Sequence, residues 1–345
     1  MCIYLGDLAG LTYNTQEHVL PAALGCCTKL EKGVVSDQAN EYFSPIERDV
    51  LEHSLIQLPR IIIGPGKRGK LSEKYATTSG VSVINLDGKN GLGYMKGRNG
   101  YLLSQFVIDR ERNVRFRYQQ DDRLNARNEI EQLKKKLLSM GKKYVPVEMP
   151  RDDDCIYIAF FKDKIHIGSY NALLDSEIEE IKGLFSGKIS ESNATTSCGQ
   201  LSATIEIKHN FKNICIVAIK SALNTLAYLK GEKYITQATE FKTIIDQVMS
   251  GNDEVLNCVV GIGFEALEKM RQSLHLDNNQ LACILNKQGN KLKAWLFIYE
   301  HGYEVSLCDS CATSCDLLLD GIVCDWKNRR DYRFLDYLKT KKILC

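Results

Sequence analysis

An acidic residue and a histidine, Glu17 and His18, stand side by side in the stretch TQEHVLPAALG, and Asn40 follows in VVSDQANEYF. Carboxylate and amide oxygens are the ligands that hard cations such as Mg²⁺ and Mn²⁺ prefer. An imidazole, with an ordinary pKa of about 6.5, can remove a proton from water near neutral pH. If the fold brings the three side chains together, their chemistry suits hydrolysis of a phosphodiester, with the metal stabilising charge on the phosphate.

A second acidic residue, Glu47, lies in SPIERDVLEHSLIQLPR, where apolar residues recur at helical spacing. Glu47 is therefore a further candidate metal ligand. It also fits helix capping, with Ser44 as the N-cap, Pro45 in the first helical position and Glu47 three residues after the cap. Both roles stay open from the sequence. His53, later in the same helix, is expected to be a surface histidine.

The charge of the chain changes sign directly after this helix. Residues 1–59 contain three Lys or Arg against eight Asp or Glu, whereas residues 60–74 contain five basic residues and one acidic residue. The basic residues predicted to contact backbone phosphates are Arg60, Lys67, Arg68 and Lys70. The glycines between them would also let backbone N–H groups approach a phosphate. The alternative interpretation is an ordinary solvated turn.

Two short strands and a helix are the simplest elements that could position these residues. We expect a strand or loop carrying Glu17 and His18, a return strand at 33–35, and a helix with Asn40 near its start. Further along, alternation predicts strands at 81–86, 101–109 and 113–119, and a charged amphipathic helix at 121–140.

The second half of the chain mixes strand and helix patterns. Helices are expected to end at Gly231 and Gly251, and a hairpin turn is expected near Gln288-Gly289-Asn290. The fold class predicted is α+β. The predicted division is a module at 1–75, connecting strands and a charged helix at 76–150, and an α+β domain at 151–345 for recognition of substrate or partner.

The pattern EHVLPAALG…LEKGVV, then N-x-YF-x-x-x-E and RIIIGPGKRGK, resembles the HNH (ββα-metal) endonucleases. More narrowly, it is similar to stand-alone prokaryotic members with an E-H-V-I-P…L-G-G and C-x-x-C-N pattern. The close match covers roughly residues 1–71, and a looser similarity covers residues 220–251.

This resemblance implies an N-terminal ββα-metal module followed by a larger α+β domain. It implies a metal-dependent DNA endonuclease that nicks as a monomer, uses Mg²⁺ or Mn²⁺, and serves prokaryotic antiphage defence or restriction. By position, His18 matches the general base, Glu17 and Asn40 the metal ligands, and Glu47 an additional acidic residue. Double-stranded DNA is the implied partner, with protein partners from the same defence system and a homodimer as further expectations.

The chain departs from the family pattern at three places. The two zinc knuckles read Cys2-Ile-Tyr-Leu5 and Ser36-Asp-Gln-Ala39, so no structural zinc is expected in the N-terminal module. The family's Gly-Gly is Gly25-Cys26, and the asparagine that orients the histidine in many members is not evident, since Leu30 or Glu31 occupies that stretch. These losses favour the alternative, a catalytically silent or partner-gated DNA-binding protein with a degenerate HNH module.

Thirteen irregularly spaced cysteines and the absence of a signal peptide or long apolar run predict reduced thiols, no membrane association and a cytoplasmic protein. Four of the cysteines offer a minority zinc interpretation, against the favoured scattered thiols: Cys308, Cys311, Cys315 and Cys324. The net charge of +2 neither indicates nor excludes a nucleic-acid partner.

Overall fold

A computed structural model of the chain describes residues 1–66, 70, 77–86, 88–97, 99–118, 126–139, 141, 143–185, 189–193, 201–204, 210–277, 280–311 and 319–343. Lys67, Arg68 and Cys315 lie outside these residues. The chain forms two compact units: unit 1 comprises Met1–Thr77 with Ile207–Cys345, and unit 2 comprises Thr78–Glu206.

The N-terminal segment begins with loops and one short hairpin. His18 bridges Lys29 in an antiparallel pair, and N–H groups of Val19 and Leu30 donate to the carbonyl groups of Thr28 and Glu17. The return strand of the hairpin is therefore residues 28–30. The predicted return strand at 33–35 is wrong, because Val34 instead accepts a hydrogen bond from the N–H of Ile3.

A short 3₁₀ turn at Ala22–Leu24 is followed by helices α1, Asp37–His53, and α2, Gln57–Ile62. Helix α1 begins seven residues earlier than Ser44, because the Ser36 side chain caps it by accepting from the N–H of Ala39. Pro45 consequently lies inside the helix. It is exposed, so water can satisfy the carbonyl group that its missing N–H would have served.

Unit 2 contains two sheets and two helices. Its elements in chain order are β1 Ser82–Leu86, β2 Lys89–Lys96, β3 Asn99–Leu102, β4 Gln105–Ile108, β5 Val114–Tyr118, α3 Ala126–Ser139, β6 Val145–Glu148, β7 Ile156–Phe161, β8 Lys164–Ser169, α4 Asp175–Leu184, β9 Ser190–Asn193 and β10 Leu201–Thr204. The strand orders are β10-β1-β2-β3 and β6-β8-β7-β4-β5-β9. Phe106 packs edge-on against Phe185 and beside Phe116, which closes the larger core of this unit.

The C-terminal part of unit 1 adds helices around one antiparallel sheet. Its elements are α5 Phe211–Lys230, α6 Glu232–Thr236, α7 Lys242–Ser250, β11 Val259–Gly261, α8 Phe264–Ser273, β12 Gln280–Gln288, β13 Lys291–Ile298, β14 His301–Cys308, β15 Leu319–Asp325, β16 Arg330–Arg333 and α9 Phe334–Thr340. The strand order is β11-β14-β13-β12-β15-β16. Gly231 and Gly251 end α5 and α7, and Gly289 lies in the turn between β12 and β13, as the sequence predicted.

Helix α5 lies at the centre of unit 1. Every residue from Ile214 to Ala227 is buried, because the helix packs on strands β12 to β15 and also against α1. The hairpin and α1 belong to the same hydrophobic core, to which they contribute Leu20 and Phe43. The boundary after Thr77 lies close to the predicted limit at 75, whereas the second boundary lies after Glu206 and not at 150. The N-terminal segment shares its core with residues more than 130 positions later in the chain.

The predicted α+β class is confirmed by the mixture of helices and mainly antiparallel sheets. Among the described helices, none combines the length and the apolar character needed to cross a membrane.

Gly25 is expected to be one of the least replaceable residues of the N-terminal segment. Its φ is +107°, and a methyl group on it would overlap Cβ of Trp326. Gly25→Ala should lower the free energy of unfolding of unit 1 by about 2–4 kcal/mol, from left-handed backbone strain plus overpacking. Urea unfolding followed by tryptophan fluorescence reports on this unit, because both tryptophans, Trp295 and Trp326, lie in it.

Gly33 provides the matched control, because its φ is +102° and nothing lies within 4 Å of a Cβ built on it. Gly33→Ala carries the backbone strain alone, so its loss should be about 1–2 kcal/mol. Equal losses at the two glycines would show that the contact with Trp326 does not constrain Gly25.

Candidate functional site

The first strand of the hairpin, residues 17–19, places Glu17 and His18 next to helix α5. Asn224 of α5 donates from its side-chain amide to the carbonyl oxygen of His18, at 3.1 Å. The hydroxyl group of Tyr4 donates to Oδ1 of the same Asn224, at 2.7 Å. These two contacts fix the backbone of His18 through a buried, hydrogen-bonded amide, so the hairpin cannot shift without leaving polar atoms of α5 unpaired.

Lys220 is the central charge of the site. Its Nζ lies 2.7 Å from Oε1 of Glu17 and 2.7 Å from Oε1 of Glu47. The side chain is only 3% exposed, and Nζ is also 4.9 Å from the ring centroid of Phe43. One buried ammonium group from α5 therefore joins the hairpin to α1 through two partly buried carboxylates.

The sequence analysis did not single out Lys220. The sequence did indicate that Lys220 is buried, because CIVAIKSALNT places one lysine in a run of otherwise uncharged and mainly apolar residues. A lysine on a fully buried helix needs carboxylate partners, since an unpaired buried ammonium is strongly unfavourable.

Asn40 lies in the first turn of α1, as expected, and reaches the loop that precedes Glu17. Its Nδ2 donates to Oγ1 of Thr15 at 3.3 Å, and its Oδ1 is buried without a hydrogen-bond partner among the described residues. Asp37 holds the same loop by accepting from the N–H groups of Asn14, at 2.9 Å, and Thr15, at 3.0 Å. The hydrogen bonds from Asn14 and Thr15 hold the pKa of Asp37 well below its ordinary value.

The imidazole of His18 is half-buried and makes no hydrogen bond to any described part of the chain. Burial is the main cause that lowers its pKa below the ordinary value, and the positive charge of Lys29 lowers it further. The carboxylates of Glu47 and Asp331 oppose this shift without reversing it. The imidazole is therefore neutral at pH 7 and free to accept a proton.

Glu17 and Asn40 supply a carboxylate and an amide oxygen, which are ligands that a hard divalent cation accepts. The unpartnered Oδ1 of Asn40 is a buried acceptor of the kind that Mg²⁺ or Mn²⁺ would satisfy. Glu17 would have to share its carboxylate with Lys220. Within the part of the chain described, Glu17, His18 and Glu47 do not form a group of three ligand atoms within metal-binding distance.

Glu47 does not support the helix-capping interpretation, because α1 begins ten residues before it. Its observed contact is with Lys220, so its role in this structure is to balance the buried ammonium. The predicted role of Glu47 as a metal ligand has no geometric support here.

The predicted DNA contact at Arg60 is wrong. Arg60 is 7% exposed, and its guanidinium donates to the carbonyl oxygens of Ala23 and Leu51, both at 3.3 Å. The side chain connects the loop of the hairpin to the end of α1. Lys70 is exposed, and its carbonyl accepts from the N–H of Gly66 at 2.8 Å.

Cys2 and Ser36, which begin the two segments compared with zinc knuckles, are in contact. The N–H and hydroxyl groups of Ser36 both lie 3.4 Å from Sγ of Cys2, which is fully buried. This contact therefore connects the first residues of the chain to the N-cap of α1.

The ten described cysteines carry free thiols. Cys324 groups with Cys26 and Asp331, so the minority zinc interpretation, which placed Cys324 with Cys308 and Cys311, is not what the described residues show. Neither a protein family, nor a curated protein, nor a solved structure was found to match the chain.

Proposed function

We propose that the chain is a metal-dependent DNA endonuclease of the HNH type, in which His18 is the general base and Glu17 and Asn40 hold one Mg²⁺ or Mn²⁺. One observation carries the proposal. A neutral imidazole with no hydrogen bond to the described part of the fold lies on the hairpin strand that also carries Glu17, and the first turn of the following helix supplies an unpartnered amide oxygen.

His18 removes a proton from the attacking water, since its lowered pKa keeps it in the basic form at neutral pH. Glu17 and Asn40 would hold the cation, which would supply stabilisation of the negative charge on the phosphate. Lys220 fixes the position of Glu17 and connects it to Glu47 through ion pairs with both carboxylates. Asn224 fixes the backbone of His18, so the imidazole is positioned before substrate arrives.

Double-stranded DNA is the proposed substrate, and Lys67, Arg68 and Lys70 are the proposed cations that contact its phosphates. One site of this kind cuts one strand, so the monomer nicks and a homodimer would be needed for paired cuts. A role in prokaryotic antiphage defence or restriction, protein partners from that system and a cytoplasmic location are proposed from the family resemblance alone.

A second function is favoured by a specific observation. Lys220 already places a positive charge between Glu17 and Glu47, and the asparagine that would orient the histidine is missing. A chain in which the lysine permanently replaces the cation would be a catalytically silent or partner-gated DNA-binding protein.

Supercoiled plasmid separates the two functions. The expected result is conversion to open circles with Mg²⁺ or Mn²⁺ and no conversion with EDTA, followed on an agarose gel. Retardation of the DNA without cleavage under any of the three conditions would favour the silent or gated protein. Absence of both cleavage and retardation would reject both functions.

A further inference from the structure

A second cluster of metal-ligating atoms lies in unit 1, at the edge of its sheet. Sγ of Cys26, Sγ of Cys324 and a carboxylate oxygen of Asp331 all lie within 4.8 Å of one another. Cys26 is 3% exposed and Cys324 is fully buried. The three residues come from the loop of the N-terminal hairpin, strand β15 and strand β16.

The backbone explains why these side chains meet. Cys324 and Asp331 are direct partners in the antiparallel register of β15 and β16, so their side chains stand on the same face of the sheet. Cys26 reaches them because Gly25 lets the hairpin loop lie directly against Trp326, two residues after Cys324. The cluster therefore follows from strand pairing and a glycine contact.

The carboxylate of Asp331 has one oxygen in use and one without a partner. Its Oδ2 accepts from the N–H groups of Cys27, at 2.7 Å, and Thr28, at 2.6 Å, and lies 3.5 Å from Sγ of Cys26. Its Oδ1 is buried and has no hydrogen-bond partner among the described residues. A buried acceptor left unpaired is costly, and a cation held by the two neighbouring sulfur atoms would satisfy it.

We infer that Cys26, Cys324 and Asp331 bind a zinc ion. Two thiolates and one carboxylate oxygen are ligands that Zn²⁺ accepts, and sulfur ligands disfavour the hard cations Mg²⁺ and Ca²⁺. Three protein ligands leave a fourth position for water. Both thiols lose their protons when the metal binds, and the protons pass to solvent.

This site is separate from the knuckle positions at residues 2, 5, 36 and 39, for which no zinc was expected. The ion would connect the hairpin that carries His18 to the edge of the C-terminal sheet. It would thus stabilise the N-terminal segment, which has few regular elements of its own. The inference does not depend on the proposed nuclease activity, because the site is defined by its ligands.

The test is the metal content of the full chain purified without chelators. Inductively coupled plasma mass spectrometry should find about one zinc per chain in the wild type. It should find almost none in the double variant Cys26→Ser, Cys324→Ser. Cys258→Ser is the matched control, since Cys258 is a partly buried thiol of the same unit that lies outside the cluster. It should retain the zinc.

A second measurement covers the case in which the double variant does not fold. Metal-free wild type titrated with Co²⁺ should develop thiolate-to-cobalt absorption, and Asp331→Asn should weaken Co²⁺ binding by at least about tenfold. Wild type that contains no zinc and gives no such absorption, with its thiols reduced, would overturn the inference. A wild-type protein mass that is two hydrogens below the expected value and is restored by dithiothreitol would also overturn the inference. Cys26 and Cys324 would then form a disulfide.

Discussion

Replacing Lys220 with methionine is expected to lower the free energy of unfolding of unit 1 by about 3–5 kcal/mol. The substitution keeps most of the apolar stem but leaves Glu17 and Glu47 without the ammonium that both contact at 2.7 Å. Two partly buried carboxylates then face each other without a positive charge between them. Urea unfolding followed by tryptophan fluorescence measures the loss.

Lys230→Met is the matched control, because Lys230 lies exposed at the end of the same helix. Its effect should stay within about 0.5 kcal/mol. Adding Glu47→Gln to Lys220→Met should restore part of the lost stability, since it removes one of the two unpaired charges. A loss below about 1 kcal/mol for Lys220→Met would contradict the structural role of the ammonium.

The loss of stability caused by Lys220→Met should be constant across the ordinary pH range. Burial alone would lower the pKa of Lys220, but Glu47 and Glu17 outweigh it, and the net shift is upward. A lysine with a raised pKa in the folded state contributes its full stabilisation below its unfolded pKa of about 10.4. That stabilisation is lost only as the pH rises through the higher folded value.

His18→Ala is expected to lower the rate of plasmid nicking by about 10²- to 10⁴-fold, which is the usual contribution of a general base. The substitution removes the one group placed to accept a proton from water and leaves the triad of Glu17, Glu47 and Lys220 in place. The reference is the initial rate of open-circle formation by the wild type at saturating metal.

The pH dependence of the wild-type rate tests the same residue in a second way. Because burial and Lys29 lower the pKa of His18, the imidazole stays neutral at pH 7 and protonates only below its ordinary value of about 6.5. The rate should therefore be level near neutral pH and fall on acidification past that point. In His18→Ala the residual rate should lack this fall, and an unchanged profile would exclude His18 as the base.

Local sequence patterns predicted helices and strands well where the hydrophobic periodicity agreed with a glycine at the end of the element. The predicted strands at 81–86 and 113–119 agree with β1 and β5, whereas the one predicted at 101–109 is divided between β3 and β4. Helices α5 and α7 end at Gly231 and Gly251 as expected. The start of α1 was misjudged because Ser36 and Ser44 are both acceptable N-caps, and a proline favours the later one. The Ser36 cap and the hydrogen bonds of Asp37 with Asn14 and Thr15, in the loop before the hairpin, support the earlier start.

The organisation of unit 1 could not be read from local patterns. Nothing in residues 1–75 indicates that their apolar side chains close a core with α5, which begins at Phe211. Glu17, His18 and Asn40 were predicted from spacing and resemblance, and the structure places all three around the hairpin and the start of α1. Arg60 was predicted to contact phosphate and Lys220 was not singled out, whereas both side chains are buried and have partners inside the fold.

The most direct test of the central claim compares plasmid nicking by three proteins purified in parallel: wild type, His18→Ala and His53→Ala. His53 is an exposed histidine at the end of α1, so its variant controls for purification and for loss of a histidine as such. The account predicts nicking with Mn²⁺ by wild type and His53→Ala and almost none by His18→Ala. Equal nicking by all three would contradict it, because the cleavage would then not come from the site around His18.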